Sequence, residues 1–336
     1  AGWPGQELSG VGCLYHKQDL EMLEIRSPKI RSAVVVGGGL IGVELAEMLH
    51  SRGIEVTMLV REPAYWSGVL PVPEAKMVSS HIRRHGIDLR HGQSLKEIRG
   101  DSEGQVSQAV TEDGSEIDCQ YLGLTIGVKP NIDLVRGTIL ATDKGILVDN
   151  FLKTNLGDVF AIGDCAQLIS PMPGRRPTEA VWYTGRMMGK TVAKTICGSP
   201  GEYDPGIWFN SAKFFDLEYQ VYGQVNPVDP PQIASLFWQH PAEEKSVRIC
   251  YEKGSERVTG FNLLGIRFRH EVCDRWIRTG TGLTEVISNI RLAFFDPEFY
   301  RDYGPDLIRK AREQTGKDLQ LEKAWSLNSV LKFLQK

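Results

Sequence analysis

The sequence has no apolar run of the roughly 18 or more residues that would cross a bilayer, and its first 30 residues lack the pattern of a signal peptide. It also lacks a dominant charge, since 39 Lys and Arg residues and 42 Asp and Glu residues give a net charge of −3. No basic stripe interleaved with aromatic residues is present. We therefore expect a cytoplasmic protein that binds neither membranes nor nucleic acid, and whose partners are small molecules and proteins.

Cysteine is sparse, and its spacing forms no motif. None of the six cysteines belongs to a C-x-x-C pair, and neither the cysteines nor the seven histidines show metal-ligand spacing. The pattern predicts reduced thiols and no metal site. The cysteines are Cys13, Cys119, Cys165, Cys197, Cys250 and Cys273.

The length and composition predict two or three globular domains. The chain has 336 residues, of which 41% are hydrophobic and 24% are charged, and these values are typical of soluble globular proteins. The opening residues are rich in Gly and Pro and then form a short polar helix-like stretch, so they predict a connecting segment. From Ser32 onward the pattern changes to that of a folded domain.

A strand, a helix and a second strand follow this connecting segment. Residues 33–38 (AVVVGG) are a continuous run of strand length, and residues 40–53 place apolar side chains at helical spacing before Gly53. Residues 55–60 (EVTMLV) form a second strand of the buried type. This order predicts a parallel sheet with a crossover helix.

The turn between the first strand and the helix carries a G-x-G-x-x-G motif. Gly37 permits a tight turn, Gly39 lets the backbone approach a pyrophosphate, and Gly42 allows close packing of helix and strand. The N-terminus of the helix, at Leu40 and Ile41, supplies N–H groups and the positive end of the helix dipole. Because the motif lies between a strand and a helix, it predicts a dinucleotide site and not an ordinary glycine-rich turn.

The residue that ends the second strand distinguishes NADH from NADPH. An acidic side chain there binds the ribose 2′-hydroxyl, whereas an arginine accommodates the 2′-phosphate. Val60 stands where the acid is expected and Arg61 follows, which favours NADPH. Two alternatives remain open: Glu62 would repel the phosphate if it pointed inward, and Arg61 could be an ordinary surface residue.

The later parts of the chain alternate between helical and strand patterns. Residues 73–86 predict a helix, and short strands are predicted in IDLRHG, SLKEIRG, VSQAVTEDG and SEIDCQYLGLTIG. Residues 158–164 (DVFAIGD) predict a strand, and residues from about 179 to 196 predict a helix. Beyond Gly201, alternating aromatic-rich segments predict a largely antiparallel sheet with helices around it.

Three segments in this order carry a family resemblance: VVVGGGLIGVELAEML, LTIGVKPNIDL and ILVDNFLKTNLGDVFAIGDCA. The chain resembles the FAD-dependent pyridine nucleotide-disulfide oxidoreductase family from about residue 10 to 200. Within that family it is most similar to the branch of NADH oxidases, rubredoxin or ferredoxin reductases and nitrite reductases. The C-terminal third is only weakly similar to the interface domain of the family.

The resemblance implies an α/β fold in which a Rossmann-like NAD(P)-binding domain is inserted in a partial FAD-binding domain, followed by a C-terminal α+β interface-type domain. A homodimer is expected from the same resemblance. The implied divisions are a linker and remnant of the FAD-binding domain (1–30), the NAD(P)-binding domain (31–145), the C-terminal part of the FAD-binding domain (146–200) and the C-terminal domain (201–336).

The resemblance also implies roles for individual residues. Gly127, in the segment Thr125-Ile126-Gly127, matches the return from the inserted domain toward the flavin domain. Gly163 and Asp164 match the second flavin motif, whose aspartate accepts hydrogen bonds from the ribityl chain at the end of a buried strand. Glu44 matches a glutamate that lies near the nicotinamide and flavin rings, and we expect Cys165 to be a small buried residue.

The sequence departs from the family pattern at its beginning. The first G-x-G-x-x-G of the family, which binds the ADP half of FAD, has no counterpart before Gly37. Three interpretations are open: a fragment, one half of a split enzyme, or a shortened protein without flavin. We expect a fragment that by itself holds little FAD.

The sequence thus predicts a flavoprotein oxidoreductase that passes a hydride from NAD(P)H to FAD and on to a small redox protein or small-molecule acceptor. The alternative is a module that binds NAD(P)(H) without flavin, as a sensor or scaffold. A third hypothesis concerns the C-terminal tail, where five apolar residues could form one face of a helix beside Lys317, Lys323 and Lys332; core or dimer packing is the expected role. The apolar residues are Trp325, Leu327, Val330, Leu331 and Leu334.

Overall fold

The computed structural model of the chain describes residues 2–295 and 301–322. The first part of the chain forms a parallel sheet with helices and a small antiparallel sheet. Its elements are β1 (Val11–Gly12), α1 (Lys17–Arg26), β2 (Ser32–Val36), α2 (Leu40–His50), β3 (Glu55–Val60), α3 (Val72–Arg84), β4 (Asp88–His91), β5 (Leu95–Gly100), β6 (Val106–Thr111), β7 (Glu116–Asp118) and β8 (Tyr121–Leu124).

The parallel sheet has the strand order β1-β8-β2-β3-β4. Strand β2 is central and its run of three valines is buried, as a strand covered on both faces requires. The predicted strand, helix and strand are confirmed, and the second strand has the predicted bounds. Strand β1 pairs with β8 at the edge, so residues of the predicted connecting segment contribute to this sheet.

Strands β5, β6 and β7 form a separate antiparallel sheet beside the parallel one. The sequence predicted short strands within residues 115–127, and two are present there. The segment divides at Cys119, because β7 pairs with β6 whereas β8 lies between β1 and β2. The two halves have different neighbours, and a pattern of apolar residues does not contain that information.

The middle of the chain contains β9 (Ile146–Val148), β10 (Ala166–Leu168) and α4 (Trp182–Ile196), and the two strands pair in parallel. The predicted strand over residues 158–164 is wrong. This segment folds back on residues 152–154, with a single bridge between Phe160 and Lys153, and then enters a 3-10 turn at Gly163. Helix α4 begins three residues later than predicted, after the extended backbone of Val181.

The last part of the chain is an antiparallel sheet with the order β11-β12-β15-β14-β13, as the alternating pattern predicted. The apolar tail face predicted from Trp325 to Leu334 lies outside the described residues. None of the helices within residues 2–295 and 301–322 has the length and apolar character needed to cross a membrane. The elements are β11 (Phe209–Phe214), β12 (Leu217–Gly223), β13 (Ile233–Gln239), β14 (Ser246–Glu252), β15 (Val258–Leu264), α5 (His270–Arg278), α6 (Leu283–Ser288) and α7 (Gly304–Thr315).

Helix α3 joins the parallel sheet to the C-terminal sheet. Its Glu74 is fully buried and accepts two hydrogen bonds from the Arg248 guanidinium on β14, from Nε at 2.6 Å and from the second guanidinium nitrogen at 2.9 Å. Phe214, at the end of β11, packs its ring against Tyr65 with centroids 5.9 Å apart. The C-terminal domain therefore contacts both α3 and the loop after β3.

Candidate functional site

The glycine-rich turn between β2 and α2 is held against the end of β8. Gly37 has a φ of +130°, and a Cβ at this position would lie 2.4 Å from the carbonyl oxygen of Thr125. The Gly37 N–H donates to the carbonyl of Leu59 at 3.0 Å. Only glycine satisfies both the conformation and the close approach. The turn therefore has the tight geometry that the motif predicted.

Two further glycines of the motif differ in their surroundings. A Cβ at Gly42 would lie 2.5 Å from the Gly37 carbonyl oxygen, so glycine is required for the close packing of helix and strand. A Cβ at Gly39 would meet nothing within 4 Å, and its φ of −99° suits any residue. Gly39 thus faces open space at the N-terminus of α2, where Leu40 and Ile41 carry the first helical N–H groups.

Tyr65 fixes the turn from the other side and was missed by the sequence analysis. Its hydroxyl donates a hydrogen bond to the carbonyl of Gly39, and its own N–H donates to Ser79 Oγ at 2.9 Å. Burial raises the pKa of Tyr65 well above its ordinary value, so the hydroxyl remains a donor. No local spacing marks this residue, because its partner is 26 residues away.

The end of β3 presents an ion pair to the glycine-rich turn. Arg61 is 81% exposed, and its Nε donates to Glu62 Oε1 at 2.9 Å. The other carboxylate oxygen of Glu62 lies 3.6 Å from the position that a Cβ on Gly38 would occupy. The carboxylate therefore lies beside the turn, whereas the arginine extends into solvent.

Glu44 lies on α2, one helical turn after its first residue, Leu40, and is exposed. Partial burial of its carboxyl and the nearby carboxylate of Glu47 raise the pKa of Glu44.

Gly127 is exposed and has a φ of +110°, and its carbonyl accepts a hydrogen bond from the Tyr15 hydroxyl at 3.1 Å. The segment after β1 is thus tied to the chain where it leaves β8.

The second predicted motif forms a turn beside α4. Gly163 has a φ of +73°, its N–H lies 3.3 Å from Met188 Sδ, and a Cβ on Gly185 would lie 3.4 Å from its Cα. Asp164 is exposed and belongs to a 3-10 turn, so the expectation that it ends a buried strand is wrong. Cys165 is only half-buried, and its thiol donates to the carbonyl of Ile162.

The fold and the glycine-rich turn are those of a dinucleotide-binding protein. The family model of pyridine nucleotide-disulphide oxidoreductases matches residues 3–189, which is more than half of the chain. The chain belongs to this family, whose members are FAD-dependent NAD(P)H oxidoreductases, and the family prediction is confirmed.

The individual relatives share about 30% sequence identity with this chain. The chain is 31% identical over 206 residues to a rubredoxin-NAD(+) reductase of Ectopseudomonas oleovorans, covering 61% of this chain and 53% of that protein. It is 28% identical over 269 residues to a monodehydroascorbate reductase of Solanum lycopersicum, covering 76% and 62%. The chain thus spans about half the length of the rubredoxin reductases that it matches.

Solved structures show the same fold. A ferredoxin reductase from Rhodopseudomonas palustris superposes with a TM-score of 0.70 at 25% identity, over 79% of this chain and 64% of that one. An NAD-dependent persulfide reductase from A. fulgidus gives 0.79 at 22% identity, over 94% and 61%. Because the second match covers nearly the whole chain, the fold prediction is confirmed through the C-terminal domain.

Proposed function

We propose that this chain functions in a flavoprotein oxidoreductase and binds NADH on the turn from Gly37 to Gly42. When bound, the nicotinamide and the flavin supply the hydride chemistry, and the protein contributes orientation and electrostatics. The observation that carries the proposal is the open space at Gly39, next to a helix N-terminus, in a turn that otherwise tolerates no side chain at Gly37 or Gly42.

The position of Glu62 favours NADH over NADPH. Its carboxylate lies beside Gly38 and is suited to accept hydrogen bonds from the ribose hydroxyls. A 2′-phosphate would meet this negative charge, and Arg61 is engaged by the same carboxylate at 2.9 Å. The sequence left open that Glu62 points inward. Our proposal adopts this alternative, and it is therefore a preference for NADH and not the preference for NADPH that was expected from Arg61.

The turn at Gly163 and Asp164 would contact the ribityl chain of FAD. An exposed carboxylate is suited to accept hydrogen bonds from its hydroxyl groups. Two exposed apolar side chains, Ile162 beside the turn and Trp182 at the start of α4, are 41% and 68% exposed, as expected for residues that a ring system covers. Glu44, with its raised pKa, is the residue that we propose to lie near the nicotinamide.

The names of the relatives suggest two classes of electron acceptor. Relatives of this chain include reductases of rubredoxin and of monodehydroascorbate, so a small redox protein and a small molecule are both acceptor classes of the relatives. We propose a small redox protein as the acceptor. The homodimer and the cytoplasmic location stay predictions.

Calorimetric titration with NADH tests nucleotide binding. Gly39→Ala places a methyl group in open space, so the variant should fold as the parent does, yet bind NADH at least tenfold more weakly because the methyl group occupies the pyrophosphate position. Gly157→Ala is the matched control, since a Cβ there also meets nothing within 4 Å. Equal NADH affinity in the parent and Gly39→Ala would reject this binding site.

FAD titration up to concentrations that fill a weak site, followed by quenching of flavin fluorescence, separates the oxidoreductase from the flavin-free sensor, because the chain by itself is expected to hold FAD weakly. Asp164→Ala should weaken FAD at least tenfold, whereas Asp158→Ala, another exposed aspartate of the same loop region, should leave FAD binding unchanged. A chain that binds NADH normally but shows no difference between these two variants would support the sensor or scaffold.

A further inference from the structure

Two histidines and an aspartate meet where α3 contacts the turn between β11 and β12. His81 and His85 are four residues apart on α3, so their side chains lie on one face of the helix. Asp216 comes from the turn, and its Oδ1 lies 2.9 Å from His81 Nε2 and 2.8 Å from His85 Nε2. The three ligand atoms lie within 4.8 Å of one another.

A second carboxylate determines which nitrogen of His81 faces this cluster. Glu244, in the loop between β13 and β14, accepts a hydrogen bond from His81 Nδ1, and Arg84 pairs with the other oxygen of the same carboxylate. Protonation at Nδ1 leaves the lone pair on Nε2, directed toward Asp216. Such a carboxylate behind a histidine is the usual partner of a metal-binding imidazole.

The Nε2 atom of His81 is buried, and no hydrogen bond of acceptable geometry reaches it from the described residues. The Asp216 oxygen is nevertheless only 2.9 Å away. A lone pair and a carboxylate oxygen repel each other at this distance, so the arrangement calls for a positive charge between them.

The side chain of His85 is held in place by packing. The ring of His85 stacks on Phe215 with centroids 4.5 Å apart and an interplanar angle of 13°. Phe215 itself has a φ of +57°, a left-handed conformation that is costly for an aromatic residue. This turn directs Asp216 toward α3. The imidazoles of His81 and His85 are therefore both held in position, by Glu244 and by Phe215 respectively.

We propose that His81 Nε2, His85 Nε2 and the Asp216 carboxylate bind a divalent transition-metal ion of the Zn²⁺ class. Two imidazoles and one carboxylate favour Zn²⁺, Co²⁺, Ni²⁺ or Cu²⁺ over Mg²⁺ and Ca²⁺. Metal–ligand bonds of about 2.0–2.1 Å need ligand atoms roughly 3.3 Å apart in a tetrahedral site, and the exposed Asp216 side chain can withdraw by that difference. Solvent would complete the coordination.

The ion would join two domains of the chain. Its histidines belong to the nucleotide-binding domain and its aspartate to a turn of the C-terminal domain, and His85 and Asp216 are 131 positions apart in the sequence. The sequence analysis expected no metal site because spacing along the chain shows at most the histidine pair. Binding in this position would hold α3, and hence the parallel sheet, against the C-terminal domain.

Zinc titration of the whole chain against a chromogenic chelator tests the proposal. We expect one ion per chain, bound at least tenfold more weakly by Asp216→Asn and by His85→Gln, and no competition by Ca²⁺. His50→Gln is the control, because His50 contacts Phe215 by its edge, with ring centroids 6.4 Å apart, and is not one of the three ligands. Asp216 is 77% exposed, so Asp216→Asn should not impair folding.

Cobalt supplies an independent readout of the coordination. Co²⁺ bound by the cluster should give visible ligand-field absorption in the parent and in His50→Gln, and that absorption should be absent from Asp216→Asn. Equal zinc affinity and equal cobalt spectra in the parent and Asp216→Asn would overturn the proposal. Loss of zinc binding in Cys197→Ser, the exposed thiol, with Asp216→Asn unaffected, would overturn it as well.

Discussion

The Tyr65 hydroxyl donates a hydrogen bond to the carbonyl of Gly39, the same carbonyl that accepts the Val43 N–H at 3.3 Å in the first turn of α2. The loop after β3 is thereby fastened to the nucleotide-binding turn. Tyr65 also packs against Phe214 of the C-terminal sheet. The turn is therefore supported by both domains.

Tyr65→Phe should weaken NADH binding by roughly three- to tenfold. The change removes one hydrogen bond, whose net contribution is about 0.5–1.5 kcal/mol, and leaves the turn less firmly placed. Titration calorimetry measures the affinity. Tyr203→Phe is the control, because the Tyr203 hydroxyl is buried but has no hydrogen-bond partner among the described residues. Equal NADH affinities in the two variants would show that the Tyr65 bond does not position the turn.

Gly42→Ala should lower the free energy of unfolding by about 1–3 kcal/mol. Its Cβ would lie 2.5 Å from the Gly37 carbonyl and 2.9 Å from Thr125 Oγ1, so the backbone of the turn must move. Urea denaturation provides the measurement. Gly68→Ala, where a Cβ meets nothing within 4 Å, should leave the free energy of unfolding nearly unchanged. A Gly42→Ala protein as stable as the parent would mean that the turn accommodates the methyl group without any loss in the free energy of unfolding.

Glu62→Gln should weaken NADH about tenfold and narrow the difference between NADH and NADPH. The variant loses a charge-assisted acceptor for the ribose hydroxyls, worth about 1.5 kcal/mol or more, and no longer repels a 2′-phosphate. Arg61→Ala should leave NADH affinity nearly unchanged, because Arg61 is 81% exposed. Parallel titrations with both nucleotides decide the matter, and a selective loss of NADPH in Arg61→Ala would restore the preference first expected from the sequence.

The raised pKa of Glu44 predicts a pH-dependent stability. The folded chain holds the proton more tightly than the unfolded chain, so stability is greatest while the carboxyl is protonated and falls as the pH rises through the folded pKa. Glu44→Gln removes this loss. The variant and the parent should be equally stable near pH 3.5, and the variant should be the more stable near pH 7. Urea denaturation at both values checks the sign, and a less stable variant at neutral pH would contradict it.

Arg248→Met should destabilise the chain by about 3–5 kcal/mol, because the fully buried Glu74 carboxylate would lose its ion partner. The double variant Glu74→Leu, Arg248→Met should recover most of this loss, since apolar residues of similar size replace the pair. The free energies of unfolding of the single and double variants give the coupling. Additive effects of the two changes would show that the pair does not join α3 to β14.

The family and the nucleotide turn could be predicted from the sequence because their signals are local. Strands β2 and β3 are continuous apolar runs, and the three glycines lie within six residues of one another, so a short window contains the whole pattern. The conformation at Gly37 follows from the same short range, since only glycine readily adopts a φ of +130°.

Tertiary structure decided the features that depend on distant contacts. The strand predicted over residues 158–164 became a turn, because a strand needs a neighbour that the sequence pattern does not name. Glu62 lies beside Gly38 through the pairing of β2 with β3, and Tyr65 reaches Gly39 across 26 residues. The separations are still larger for His85 and Asp216 and for Glu74 and Arg248, where packing of one domain on another, and no local preference, brings the side chains together.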